Sequence, residues 1–139
     1  MIDVQTLIAK LDADTSYTIT AAKYREPEFQ EVTELPIIYV GYNGISSKDP
    51  HSPVEKTIFN SVGEDLVQSF EIQIVCEVAN FSGIWKTIYA TLIGYNPVES
   101  EKYHSGFTYA RGGVMGLSNG KLWHVDVWNI GFPILIPLI

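Results

Sequence analysis

Two side chains near the carboxyl end of the sequence have types and a spacing that could support acid–base or metal chemistry. His124 and Asp126 stand two residues apart in an alternating stretch, so a strand would place them on the same face. His104 could approach them from a neighbouring strand. Imidazole and carboxylate groups transfer protons and bind zinc, but neither paired cysteines nor a His-x-x-x-His spacing accompanies these residues. We therefore expect a structural or interfacial role for them, and no bound metal.

Other catalytic motifs are missing or incomplete. The glycine-rich segment 112–116 lacks the Lys-Ser/Thr of a phosphate-binding loop, and no Gly-x-Ser-x-Gly nucleophile motif occurs. Glu71, Glu77 and Asp126 could supply a carboxylate pair for glycoside hydrolysis, yet any acidic protein offers such a set. The sequence thus predicts no catalytic residues, no cofactor and no enzymatic activity.

Length, charge and cysteine content limit the class of protein further. The 139 residues fit one domain, 1–139. A net charge of −7 argues against binding of nucleic acid through its phosphates. The single cysteine, Cys76, cannot form an internal disulfide and suits a reducing compartment. Neither a signal peptide nor an apolar run long enough for a membrane span is evident. We expect a soluble protein that is made in the cytoplasm.

The elements that must position these side chains follow from hydrophobic periodicity. Residues 4–11 have helical spacing after a capping Asp3, and 17–24 and 36–42 have strand character. Residues 66–78 alternate cleanly, which is typical of a half-buried strand. A second helix is predicted after Asn80, which could cap it, and Gly94 stops it. Its predicted buried stripe consists of Phe81, Ile84, Trp85, Ile88 and Leu92.

Two closing strands are predicted at 102–111 and 121–130, with turns at Gly112-Gly113 and at 118–120. The apolar tail 132–139 contains prolines that exclude it from the centre of a sheet. The order of elements predicts an α+β fold. Its sheet is antiparallel or mixed, two helices pack on one face, and a long loop separates strands 2 and 3.

That loop, 43–65, is longer than connections in compact domains usually are. It carries apolar residues that a plain linker would not need, so it is interpreted as an extended hairpin arm or as a segment that orders on binding. Trp123 and Trp128 fall on opposite faces of one strand, so one of them must be covered by a partner or by the tail. The predicted assembly-interface residues are Ile45, Ile58, Phe59, Val62, Trp128, Phe132 and Ile134.

Several carboxyl-terminal segments resemble one known family. They are Ile93-Gly94-Tyr95-Asn96-Pro97, Phe107-Thr108-Tyr109, the turn 112–117, and the strand 121–128 with the sequence Lys-Leu-Trp-His-Val-Asp-Val-Trp. Together with the element order they resemble phage tail terminators, also called tail-completion proteins, which include lambda-type minor tail proteins. Specific residues match from roughly Trp85 onward, and the element order matches over the whole chain.

The resemblance implies a structural virion protein of the phage tail, assembled in the host cytoplasm. Such a protein forms a hexameric ring that caps the tail tube, ends its polymerisation and meets the head–tail connector. A sheath protein is a further partner that the resemblance allows. DNA would pass through the lumen without specific binding, and an acidic chain agrees with a wall that does not trap DNA. Two alternatives are another phage neck or tube protein, and a monomeric binding or enzymatic domain with a pocket near His104, His124 and Asp126.

Overall fold

The computed structural model describes residues 2–22, 35–47, 56–58, 61–97 and 106–137. The elements in chain order are helix α1 Val4–Asp14, strands β1 Thr18–Ala21, β2 Ile37–Ser47, β3 Lys56–Ile58 and β4 Ser61–Glu77, a 3₁₀ turn Val78–Asn80, helix α2 Phe81–Leu92, and strands β5 Thr108–Ser118 and β6 Lys121–Pro137.

The strands form one mixed sheet in the order β1-β2-β4-β6-β5, with β3 paired to β4 beside this path. β1 runs parallel to β2, and every other pairing is antiparallel. Both helices contribute to the core that covers one face of the sheet, with Leu7 and Leu11 from α1 and Ile84, Ile88 and Leu92 from α2. The predicted α+β architecture is confirmed.

The first helix begins as the sequence predicts. The Asp3 carboxylate accepts a hydrogen bond from the backbone N–H of Thr6 at 3.0 Å, which satisfies one of the unpaired donors of the first turn. The backbone of Ile2, just before the cap, is bound at both ends by the side chain of Gln68. The Ile2 N–H donates to Gln68 Oε1 at 3.1 Å, and Gln68 Nε2 donates to the Ile2 carbonyl. This buried amide fixes the start of α1 on β4.

Two predicted helix boundaries differ from the structure. Helix α1 extends beyond the predicted range 4–11, because residues 12–14 form its last turn and Thr15 then caps it by donating to the Leu11 carbonyl. Asn80 makes no capping hydrogen bond, and a 3₁₀ turn leads into α2 instead. The predicted stop at Gly94 is confirmed by its φ of 73°, in the left-handed region that favours glycine.

The predicted long loop is shorter than expected, because both flanking strands extend into it. β2 continues to Ser47, which pairs with Leu66, and β4 already begins at Ser61. β3 pairs with the first residues of β4. The extended-hairpin interpretation therefore holds for 43–47, 56–58 and 61–65, whereas 48–55 and 59–60 lie outside the described residues.

The glycine-rich segment 112–117 was predicted as a turn, and this prediction is wrong. It lies within β5 and pairs with β6, with irregularities in register at Tyr109/Arg111 and Val114/Gly116. The connection between the two strands is made by Asn119 and Gly120, whose φ angles of 51° and 77° suit a tight hairpin turn. Pairing with a long neighbouring strand compensates for the weak strand propensity of glycine.

The apolar tail continues β6 up to Pro137, opposite Ser61 of β4. β5 ends its pairing at Thr108, opposite Asn129. Beyond Asn129, among the residues described, β6 therefore has a strand on only one side. Proline lacks an N–H and is tolerated where a strand forms the sheet edge, so Pro133 fits there. The prediction that the prolines exclude the tail from a central position agrees with this arrangement.

Gly106 should not tolerate a larger residue, because its backbone lies directly against that of Gly94. The contact is held by the Gly94 N–H donating to the Phe107 carbonyl and the Phe107 N–H donating to the Tyr95 carbonyl, each at 2.9 Å. A Cβ at Gly106 would overlap the Gly94 carbonyl and lie 2.8 Å from its Cα. We expect Gly106→Ala to lower the free energy of unfolding by about 2 kcal/mol, the usual cost of forced overpacking.

Gly83 provides the matched control for this change. It lies in α2 with nothing within 4 Å of a built Cβ. Gly83→Ala should raise stability by about 0.5–1 kcal/mol through helix propensity. Urea unfolding of both variants checks the pair, and equal midpoints would contradict the close backbone contact.

Candidate functional site

A buried polar cluster forms where β5 and β6 meet under α2. Strand β6 places His124 and Asp126 on its helix-facing side, and β5 brings Tyr109 to the same side. Asp126 Oδ1 accepts hydrogen bonds from the Tyr109 hydroxyl at 3.1 Å and from His124 Nε2 at 2.7 Å. The predicted same-face placement of His124 and Asp126 is thereby confirmed, and Tyr109 is a third member that the sequence did not identify.

Burial and neighbours determine what this cluster can do. Asp126 is 1% exposed and His124 is 8% exposed. The ring of Phe81, at the start of α2, covers the imidazole with a centroid distance of 4.7 Å. Burial, together with the adjacent Asp126 carboxylate, raises the pKa of Tyr109 to about 12, so its hydroxyl stays a proton donor at neutral pH. Asp126 Oδ1 links the three side chains, whereas His124 Nδ1 is buried and has no hydrogen-bond partner in the described part of the chain.

Gly112 lies directly against the cluster on its β5 side. It pairs directly with Asp126 across the sheet. A Cβ built on Gly112 would overlap both Asp126 Oδ1 and the Tyr109 hydroxyl and would lie 3.0 Å from His124 Nε2. The absence of a side chain at this position is what makes room for the hydrogen bonds.

His104, the third residue of the pocket considered from sequence, lies outside the described residues. Among the residues that are described, no group of three or more His, Cys, Asp or Glu side chains is arranged to hold a metal ion. Cys76 is buried, and burial raises the pKa of its thiol to about 11, which keeps it protonated and unreactive at neutral pH. In the described part of the chain, neither helix is both long and apolar enough to cross a bilayer.

The structure corrects one predicted interface residue. Trp128 is 1% exposed, and its ring packs against Tyr89 and Tyr109 at centroid distances of 5.5 and 5.4 Å. It therefore belongs to the core and is not available to a partner. Trp123, on the other face of β6, is also buried, and its indole N–H donates to Gln73 Oε1 at 3.3 Å.

The other predicted interface residues fall at one end of the sheet. Ile45 in β2 is exposed. Ile58 in β3, Val62 in β4, and Phe132 and Ile134 in β6 are placed by their backbones alone, while Phe59 lies outside the described residues. β4 pairs with each of the other three strands here. Its Gln68 lies opposite Ile45 of β2, its Val62 opposite Thr57 of β3, and its Glu64 opposite Ile134 of β6. We call this end of the sheet the sheet extension. It consists of residues 44–47, 56–58, 61–65 and 131–137.

A second exposed surface was missed by the sequence analysis. Val114, Met115 and Leu117 of β5 are 58%, 57% and 65% exposed, more than any other large apolar side chain that the structure describes. They were assigned to a turn, where exposure needs no explanation. The sequence does contain a signal for this surface, because a run of apolar residues at 114–117 is unusual for a glycine-rich turn.

Comparison with known proteins gives a relationship in structure and none in sequence. No family model and no curated protein matches the sequence. The fold is similar to that of a chain in a solved structure described as the virion of native gene transfer agent (GTA) particle. The two chains share 17% sequence identity, the match covers 88% of this chain and 87% of the other, and the TM-score is 0.50. At this identity the similarity shows a shared fold across nearly the full length of both chains.

Proposed function

We propose that this protein is a structural component of a phage-like virion, in which it forms a ring at the end of the tail tube. The observation that carries the proposal is the similarity in fold to a chain of a gene transfer agent virion over nearly the whole length. The carboxyl-terminal segments that resemble tail terminators support the same assignment. The ring would be a hexamer that ends tube polymerisation and presents its other face to the head–tail connector.

The geometry of the polar cluster supports an assembly role without catalysis. A general acid or base must reach a substrate atom within hydrogen-bonding distance. His124 Nε2 and the Tyr109 hydroxyl are instead engaged with Asp126, and the ring of Phe81 covers the imidazole. We infer that these residues stabilise the packing of β5 on β6.

Charge is consistent with the passage of DNA through such a ring. The chain carries a net charge of −7. A wall of the same sign as DNA repels the phosphates, so DNA can move through the lumen without binding.

The sheet extension is the part of the chain that we assign to the contact with the tail tube. The members of the apolar core cluster that the structure describes lie outside the sheet extension, and we expect the core to form without 46–61. The exposed Ile45 stands where the extension begins. Apolar residues at such a position can supply most of the energy of an interface.

Deletion of the gene from the phage-like particle that encodes it tests the proposal. We expect tails of uncontrolled length and heads without joined tails, seen by negative-stain electron microscopy. A plasmid copy of the wild-type gene should restore particles. A copy in which residues 46–61 are replaced by a short Gly-Ser turn should fold with an unchanged melting temperature and fail to restore tail length.

The outcomes separate the possible roles. Particles with normal tails after deletion would refute the terminator role. Absence of the protein from purified particles, measured by mass spectrometry, would refute a role in the virion altogether. Restored tail length with the shortened variant would remove only the assignment of the sheet extension to the tube contact.

A further inference from the structure

Two asparagine–glycine pairs occur in the chain, and both lie at the surface. Asn43–Gly44 is in β2, and Asn119–Gly120 forms the turn between β5 and β6. Both asparagine side chains are exposed. Glycine has no side chain to shield its backbone nitrogen, so in such a pair this nitrogen can attack the side-chain amide of the preceding asparagine. Exposure and sequence are alike in the two pairs, but their backbones are held differently.

Asn119 is fixed in a closed turn. Its φ of 51° and the φ of 77° at Gly120 place both residues in the left-handed region. Ser118 and Lys121 pair on either side of the turn, and the Gly120 carbonyl accepts a hydrogen bond from the Val78 N–H at 2.9 Å. Attack on the asparagine side chain requires rotation about the Asn119 Cα–C bond. That rotation displaces Gly120, so it breaks the hydrogen bond to Val78 and the pairing that closes the turn.

Asn43 is the extra residue of a β-bulge. Tyr42 before it pairs with Phe70, and Gly44 after it pairs with Ser69, so Asn43 has no residue opposite it on β4. The extra residue of a bulge is left out of the ladder, and the pairing around it is locally disrupted. A Cβ built on Gly44 would meet nothing within 4 Å, so the glycine lies in open space. The bulge can therefore rotate at Asn43 with fewer contacts to break than the closed turn has.

The part of β2 that contains the bulge is also weakly held by its neighbours. β1 pairs with β2 only as far as Val40, so beyond this residue β2 is paired, in the described part of the chain, with β4 alone. Residues 42, 43, 45 and 46 are exposed. Opening of 43–46 therefore uncovers little further apolar surface. Segments with few buried apolar contacts open locally at a low free energy.

We propose that Asn43 is a site of spontaneous deamidation in the folded protein and that its turn protects Asn119. The Gly44 nitrogen gives up its proton to hydroxide and forms a bond with Asn43 Cγ, and the side-chain amide nitrogen takes up a proton from water and leaves as ammonia. Water then adds to the resulting cyclic imide. Cleavage of the imide at Cγ gives aspartate, and cleavage at the backbone carbonyl gives isoaspartate. The net reaction consumes water and releases ammonia.

The products change the surface that we assign to the tube contact. Both add a negative charge in the segment between the exposed Tyr42 and Ile45. Isoaspartate also lengthens the backbone by a methylene group where the sheet extension begins. Burial of an unpaired carboxylate in an apolar contact costs free energy, so the modified surface binds less well. Copies that stay unassembled thus lose this contact with time, a consequence that rests on the proposed function, whereas the reaction itself does not.

Peptide mapping of the purified protein by mass spectrometry tests the proposal. The protein is incubated in mildly alkaline water labelled with heavy oxygen, so that only deamidation during the incubation is counted. Tryptic cleavage after Lys48 and Lys121 places the two pairs in different peptides. We expect Asn43 to be converted at least about tenfold faster than Asn119, which corresponds to about 1.4 kcal/mol in activation free energy.

The matched control is the same protein unfolded in guanidinium chloride, where neither the turn nor the bulge exists. There the two asparagines should react at similar rates. Equal rates in the folded protein, or faster conversion of Asn119, would overturn the proposal. A native rate ratio that persists in the denaturant would also overturn it, because the flanking residues would then account for the difference. Since the measurement uses the purified protein without tails, its failure is distinct from the failure of the terminator role, which the gene deletion reports.

Discussion

Replacement of Trp128 by alanine should lower the free energy of unfolding by about 4 kcal/mol, within the usual range for truncating a buried large aromatic. The side chain is 1% exposed and lies between α2 and β5, in ring contact with Tyr89 and Tyr109. Its loss leaves a cavity that the surrounding rings cannot fill, since their own positions are fixed by further contacts. Tyr109 is held by Asp126, and Tyr89 stacks on Trp85 at 5.2 Å. Denaturant unfolding followed by circular dichroism measures the effect.

The conservative change Trp128→Phe distinguishes packing from hydrogen bonding. The Trp128 indole N–H is buried and has no hydrogen-bond partner in the described part of the chain. The phenylalanine variant therefore loses contact area and no hydrogen bond, and it should cost less than about 1.5 kcal/mol. Equal losses for the two variants would show that the indole N–H, not the ring packing, matters at this site. A negligible loss for Trp128→Ala would contradict the core position.

Gly112→Ala is the second change with a large expected effect. The new methyl group would overlap Asp126 Oδ1 and the Tyr109 hydroxyl, which are hydrogen-bonded to each other. Asp126 is buried and also holds His124, so it cannot move aside without breaking a second hydrogen bond. Overpacking together with loss of a buried hydrogen bond should lower the free energy of unfolding by about 3 kcal/mol.

The neighbouring glycine is the control for this variant. Gly113 lies in the same strand, and a Cβ there meets nothing within 4 Å. Gly113→Ala should change stability by no more than about 0.5 kcal/mol, as is usual for exposed positions. The two variants differ by one position and share the same chemistry, so their thermal unfolding midpoints compare the two faces of β5 directly. A Gly112→Ala protein as stable as Gly113→Ala would mean that Gly112 does not lie against the polar cluster as described.

Trp128 is buried, and so is Asp126, the side chain that a methyl group at Gly112 would displace. Variants at Trp128 and Gly112 are expected to affect assembly only through the amount of folded protein. Substitutions within 46–61 are expected to affect assembly without lowering stability. Measuring both properties for each variant separates the fold from its contact surfaces.

Local sequence determined those features that depend on neighbours along the chain. The alternation through 66–78 defined the central part of β4, and Ile72 and Ile74 on one face are buried. The expectation of a half-buried strand is wrong for this part, because Gln73 and Val75 on the other face are buried too. The Asp3 cap and the Asn119–Gly120 turn were also evident, because capping and positive φ depend on the chemistry of a few adjacent residues. Hydrophobic periodicity further placed His124 and Asp126 on a common face.

Features that depend on distant segments were decided only by the tertiary structure. Periodicity places Trp123 and Trp128 on opposite faces but does not say what covers each face, and Trp128 proved to be a core residue. The ends of β2 and β4 are set by pairing partners far along the chain, so the expected loop 43–65 became partly sheet. The same reason applies to β5, where hydrogen bonds to β6 hold glycine-rich residues in a strand whose local preference favours a turn. Tyr109 joined the buried cluster because α2 packs over that end of β5, where the rings of Trp85 and Tyr89 contact it, whereas Val114, Met115 and Leu117 further along the strand are exposed.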